Sequence, residues 1–183
     1  MGAPLRRVLH PAGSDMSESS FSWRKMAVED LAAVGEIAAL VHPDLPERPE
    51  VFTEKLRLFP DGCFVLARGA VRLGYAFAHP WRLNDAPPLD EFLNEIPLSA
   101  NCLYLHDAVV LPAARGQSAA SRLIVLLRAL AARRALPALA LVSVYGTRRL
   151  WRRFGFAVVE SPELAGKLAC YGASARYMIA PLS

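Results

Sequence analysis

The run Leu103-Tyr-Leu-His-Asp-Ala-Val-Val-Leu111 reads as an apolar strand carrying two ionisable groups, His106 and Asp107. Strand alternation sends adjacent side chains to opposite faces, so the spacing predicts that only one of the two faces a given ligand, and Tyr104 shares the face of His106. The strand stops at Pro112 and turns through Arg115-Gly116-Gln117-Ser118-Ala119-Ala120 into an amphipathic helix. A strand feeding a helix through small residues aims unpaired backbone N–H groups at one point, where the helix dipole adds partial positive charge. The turn is therefore a candidate anion cradle, with phosphate the expected ligand. It lacks the G-x-G-x-x-G of a dinucleotide site, which argues against a Rossmann enzyme.

The elements that must position these groups follow from the surrounding pattern. A strand over 22–28 precedes a helix opened by Glu29 and Asp30, with apolar Leu31, Val34, Ile37, Ala38 and Val41 at helical spacing, ended by His42-Pro43. A second helix runs from Pro49 to Phe59. Cys63–Ala67 and Leu73–His79 form a hairpin around Arg68-Gly69-Ala70. Residues 81–100, rich in proline and carrying Asp85, Asp90 and Glu91, read as an insertion with a short helix over Leu89–Ile96. After the Leu103–Leu111 strand come a helix from Ser118 to about Arg134, a strand over Ala138–Val144, and a short helix over Thr147–Phe154. Phe156–Glu160, a helical piece over Pro162–Cys170 and a last strand over Ala175–Ala180 complete the chain. Strand, long helix, strand implies a right-handed crossover and one parallel pair in a mixed sheet.

The chain has 183 residues, 54% of them hydrophobic, which is ample for one domain, expected over 21–183 behind a disordered lead over 1–20 in which Met16 is a second candidate start. The longest apolar runs are too short for a bilayer, which needs about 20 residues, so no membrane partner is expected. Three widely spaced cysteines and four histidines without ligand spacing point to a reduced, metal-free protein of the cytoplasm. Net charge is only +4, and the doublets at 133–134, 148–149 and 152–153 read as solvated helix faces. A nucleic-acid groove would need interleaved aromatics and a larger basic excess, and no nucleic-acid partner is expected.

With this order of elements, the chain resembles the GNAT superfamily of acyl-CoA-dependent N-acyltransferases. The resemblance rests on Val110-Leu111-Pro112 followed by Arg115-Gly116-Gln117-Ser118-Ala119-Ala120, on Trp151-Arg152-Arg153-Phe154-Gly155-Phe156, and on the tail from Tyr171-Gly172 to Met178. It implies an α/β fold with a mostly antiparallel sheet of about seven strands, one splayed parallel pair, and helices on both faces. It further implies acetyl-CoA as acyl-donor cosubstrate and no metal. The pyrophosphate would lie on Arg115–Ala120, and the pantetheine arm would pair with backbone at Val109, Val110 and Leu111 like an added strand. Trp151 stands beside the cofactor where many relatives carry a tyrosine acid, and an indole cannot hand over a proton as a phenol does. Ser118 replaces a cradle glycine and is expected to adopt a helical first-turn conformation and cap locally.

Acyl transfer to an amine must remove an ammonium proton, stabilise an oxyanion, and release a thiolate. A backbone N–H near Val110 is a candidate for the oxyanion. His106 is the candidate base or water-positioner, since imidazole ordinarily titrates at about 6.5. The alternative is a half-buried strand residue with Asp107 paired to an arginine. Tyr145 is the candidate acid for the departing sulfur, or an aromatic plug at the strand end. Asp85, Asp90 and Glu91 are the local acids that could attract an amine. The expected activity is transfer of acetyl to a primary amine of a small molecule or protein. The alternative is a non-catalytic acyl-CoA sensor; oligomeric state is unassigned.

Overall fold

The hairpin predicted around Gly69 sits inside the sheet and organises it. In the computed structural model, which describes residues 20–116 and 118–182, β2 (Cys63–Arg68) and β3 (Val71–Trp81) pair antiparallel with Arg68 opposite Val71. Gly69, at φ +55°, supplies the left-handed backbone that so tight a turn requires. β1 (Ser22–Lys25) adds to β2, and β4 (Cys102–Val110) runs antiparallel to β3. α3 (Ala119–Arg133) then crosses over to β5 (Ala138–Ser143), which lies parallel to β4. β7 (Arg176–Pro181) and β6 (Ala157–Val158) complete the order β1-β2-β3-β4-β5-β7-β6. The mixed sheet with one parallel pair is as expected. No helix among the described residues is long and apolar enough to cross a membrane.

Helical periodicity decides how the sheet is covered. On α3, Leu123, Ile124, Leu127, Leu130 and Ala131 recur at the spacing of one helix face and are buried against Leu103, Leu105, Leu139 and Leu141. Leu127 is fully buried, and its truncation to alanine would cost about 2–5 kcal/mol. On the opposite face α1 (Leu31–Val41) and α2 (Pro49–Leu58) pack Val34, Ile37, Phe52 and Leu56 on Val65, Tyr75, Phe77 and Val109. Asp30 fastens this layer: its carboxylate accepts from Arg24 on β1 at 2.7 and 2.8 Å and from Arg72 on β3 at 2.7 Å. The Arg24 hydrogen bond, outweighing burial and joined by Ala27 N–H and Arg72, holds its carboxyl well below the usual range.

The insertion contains no helix over Leu89–Ile96. Asp90 and Asn94 adopt left-handed backbone, at φ +57° and +62°. The N–H groups of Leu93 and Asn94 are spent on the Glu54 carboxylate of α2, at 2.7 and 2.9 Å, instead of on helical carbonyls. Two short helices close the chain, α4 (Arg148–Arg152) and α5 (Pro162–Leu168), the latter capped by Ser161 Oγ accepting from Leu164 N–H at 3.2 Å. Cys63 and Cys102 are buried, and burial pushes both thiols up to about 12, so neither is a ready nucleophile.

Candidate active site

β4 and β5 share a ladder only at Leu103–Leu139, Tyr104–Ala140 and Leu105–Leu141. Beyond Leu105 the strands diverge, while β4 stays paired to β3 as far as Val110 opposite Gly74. The edge of β4 from His106 to Val110 therefore has no strand partner on the β5 side. A cleft of about 900 Å³ occupies the gap, walled by β4, by Val144, Tyr145 and Trp151 beyond β5, and by the start of α3. Gly74 permits the tight fit of β3 behind it, since a Cβ there would lie 2.2 Å from the Val109 carbonyl oxygen.

A bulge decides which side chains enter. Phe77 pairs with Asp107 and Ala78 with Leu105, so His106 is an extra residue on β4 and alternation restarts after it. Consequently His106 and Asp107 both line the cleft, rather than facing opposite ways as simple alternation predicts. Each finds a partner that the sequence did not mark. His106 Nε2 donates to Glu47, 3.0 Å from either carboxylate oxygen. Lys55 Nζ stands behind, 3.6 Å from the same carboxylate. Among the described residues Asp107 is paired with no arginine: it accepts from His42 Nε2 at 3.1 Å and from the Tyr75 hydroxyl at 2.5 Å. Both imidazoles leave Nδ1 buried without a hydrogen-bond partner. With Nε2–H committed to a carboxylate, that atom carries the free lone pair of the neutral ring.

Electrostatics keep the pairs polarised. Burial would raise Glu47, yet the charge and hydrogen bond of His106 and the charge of Lys55 hold it at about 2. Burial pulls Lys55 down, against the attraction of Glu47 and Glu54. His79, packed on His106 with ring centroids 5.9 Å apart, is held by burial at about 3 and stays neutral. For His42 burial opposes ionisation, but the bond to Asp107 and its charge carry the ring above its ordinary value. Tyr145 stacks on His42, centroids 5.5 Å apart at 9°, and is half exposed at the rim. Burial, then the charges of Asp44 and Asp107, raise its phenol, so the proton stays on at neutral pH.

The cradle forms with one change. Ser118 takes left-handed backbone, φ +64° and ψ +15°, and makes no side-chain cap, contrary to the helical capping role expected of it. The first helical bond is that of Arg122 N–H to Ser118 O at 2.9 Å, so the amides of Ala119, Ala120 and Ser121 have no helical carbonyl to bond. Arg115, Gly116, Ser118, Ala119 and Ala120 line the cleft; Gln117 lies outside the described residues. Arg115 Nε donates to the Val110 carbonyl at 3.0 Å and so braces the strand end. Val109 and Val110 line the gap, but Leu111 does not: its N–H is given to Leu73 O at 2.8 Å. Trp151 lines the cleft with its indole N–H turned to Thr147 Oγ1 at 3.1 Å.

Two of the three insertion acids are otherwise employed, and the third, Glu91, is exposed and does not line the cleft. Asp85 is paired with Arg82 and Lys167, and Asp90 with Arg48. Only Leu89 of the insertion reaches the cleft. Among the described residues no group of histidine, cysteine or carboxylate side chains is arranged to hold a metal ion.

Comparison with solved structures finds the same architecture at low identity. Ard1 from Thermoplasma volcanium superposes with TM-score 0.67 at 12% identity, covering 89% of this chain and 98% of that one. The GphF GNAT-like decarboxylase in complex with isobutyryl-CoA gives 0.70 at 19%, covering 88% and 100%. The ribosomal-protein-S18-alanine N-acetyltransferase from Escherichia coli gives 0.62 at 16%, covering 90% and 95%. No curated protein sequence matches the chain. The sequence profile of the Acetyltransferase (GNAT) family matches residues 27–156, from the entry to α1 through the Trp151–Phe156 segment. The chain belongs to the GNAT acetyltransferase family.

Proposed function

We propose that this protein transfers acetyl from acetyl-CoA to a primary amine. The observation that carries the reading is the unpaired edge of β4, continuous at one end with the free amides of α3 and at the other with two carboxylate–imidazole pairs. The arm of coenzyme A, rich in amides, suits that edge as an added strand, and its phosphates suit the α3 amides and Arg115. The related GphF structure contains an acyl-CoA, and the S18-alanine enzyme is an N-acetyltransferase.

His106, oriented by Glu47, is the base or water-positioner, taking the ammonium proton on Nδ1 once the acceptor reaches that buried atom. The amine nitrogen attacks the thioester carbonyl carbon, the C–N bond forms, the C–S bond breaks, and the nitrogen's second proton passes through solvent to replace the one Tyr145 gives up. A backbone N–H of the unpaired β4 edge beside His106 stabilises the oxyanion, while the Val110 end of that edge takes the coenzyme arm. Tyr145 gives its proton to the departing sulfur, a role Trp151 cannot fill because its only N–H serves Thr147.

That same indole favours a second reading, an acyl-CoA sensor without chemistry. Calorimetric titration with acetyl-CoA and coenzyme A, followed by thiol-release assays with amine acceptors, separates them. Replacing His106 and Tyr145 together should abolish turnover and spare binding if the protein is an enzyme. Binding without turnover in the unaltered protein supports the sensor, and no binding to either ligand overturns both readings.

A further inference from the structure

The end of the cleft opposite the phosphate cradle is roofed by three connections fastened to one another. The α1–α2 connection contributes Leu45, Pro46 and Glu47, the insertion Leu89, and the β6–β7 connection Tyr171. Arg48, next to Glu47, donates to both the carboxylate and the carbonyl of Asp90, by its N–H at 2.7 Å, Nε at 2.9 Å and Nη2 at 2.7 Å. The Tyr171 hydroxyl donates to Pro87 O at 2.5 Å, and Lys167 is paired with Asp85. The insertion thus bridges the two connections that flank the cleft, and Glu54 holds its far end. An extended polypeptide lying between those flanks would have to break this strapping.

The chemistry of the roofed end is equally restrictive. The carboxylates lining it are Glu47, backed by the buried Lys55 at 3.6 Å, and Asp107, paired with His42, while the arginines lining the cleft, Arg115 and Arg153, belong to the end formed by α3 and α4. The imidazoles of His106 and His42 already spend their Nε2 hydrogens on those carboxylates. A bound ammonium can donate to the unpartnered Nδ1 of His106, whereas a substrate carboxylate would be desolvated against two carboxylates whose own partners, Lys55 and His42, are already engaged. The remaining wall, Leu45, Pro46, Leu89 and Phe52, is apolar.

From this we infer that the acceptor is a small primary amine with an apolar body and no carboxylate, neither an amino acid nor a protein chain. The inference rests on the acetyl-transfer reading and narrows it. The test uses the full chain with acetyl-CoA and measures thiol release with matched pairs, 2-phenylethylamine against phenylalanine and isobutylamine against valine, beside a peptide with a free amino terminus. The amine of each pair should exceed its amino acid by about 100-fold in kcat/KM, with no release from the peptide. Equal or better turnover of an amino acid or the peptide overturns the inference and leaves acetyl transfer standing. Acetyl-CoA binding by calorimetry with no turnover of any acceptor overturns acetyl transfer and the inference together.

Discussion

His106 Nε2 lies 3.0 Å from both carboxylate oxygens of Glu47, although the two residues are 59 positions apart, and the pair is sealed with side chains 2% and 6% exposed. Glu47→Gln keeps an acceptor for the imidazole but removes the charge. It should lower kcat by about 100-fold while leaving the acetyl-CoA Kd unchanged. Because Glu47 is held at about 2, below the ordinary carboxylate value of about 4.3, it stabilises the fold above the latter pH, and that contribution is lost as pH falls toward 2. Urea midpoints at pH 7 and pH 3 should therefore differ less in Glu47→Gln than in the unaltered protein.

The Asp107–His42 pair has the opposite sign. His42 is raised, so its contribution to stability is complete below its unfolded value of about 6.5 and disappears as pH climbs through the folded value. Asp107→Asn removes the carboxylate whose bond and charge overcome burial. Titration of the His42 ring protons by NMR should move to lower pH, and the stability advantage of pH 5.5 over pH 8 should shrink.

At Ser118 the left-handed backbone costs a non-glycine residue about 1–2 kcal/mol, while glycine costs about 0.5–1 kcal/mol in chain entropy. Ser118→Gly should raise stability by about 0.5–1 kcal/mol with coenzyme A affinity retained. Ser118→Val, β-branched at a positive φ, should lower both stability and affinity, read by thermal melting and calorimetry.

Gly74→Ala would bring a Cβ against the Val109 carbonyl, backbone that no rotamer change relieves. A loss of about 1–3 kcal/mol in urea unfolding is expected. Since Val109 lines the cleft, acetyl-CoA affinity should fall in parallel.

Much of the architecture was legible because hydrophobic period and turn residues agree in most segments. The hairpin at Gly69, the α3 stripe and the single crossover follow from such local agreement. The site was only half legible. His106 and Asp107 stand on the strand that the sequence marks and Tyr145 in the turn just past β5, but one extra residue in β4 leaves no trace in an apolar pattern and turns two expected faces into one. Glu47 and His42 come from a connection more than fifty residues upstream, where His42-Pro43 reads simply as a helix stop. Tyr75 looks like a core strand residue until Asp107 meets its hydroxyl, and Lys55 is a type expected in solvent yet is 2% exposed. The helix expected over Leu89–Ile96 does not form, its Leu93 and Asn94 N–H groups going to Glu54 on another element.

The sheet is in effect two half-sheets, β1 to β4 and β5 to β6, stitched by three residue pairs and by α3. A ligand seated in the gap would work as a splint across that seam. Ligand at 100 times its Kd adds about 2.7 kcal/mol to the folded state, so melting temperature would track donor concentration. Amide exchange should slow on both lips of the seam, at Val110 and at Val142, before it slows elsewhere. The lifetime of the protein in a cell would then follow the supply of its acyl donor.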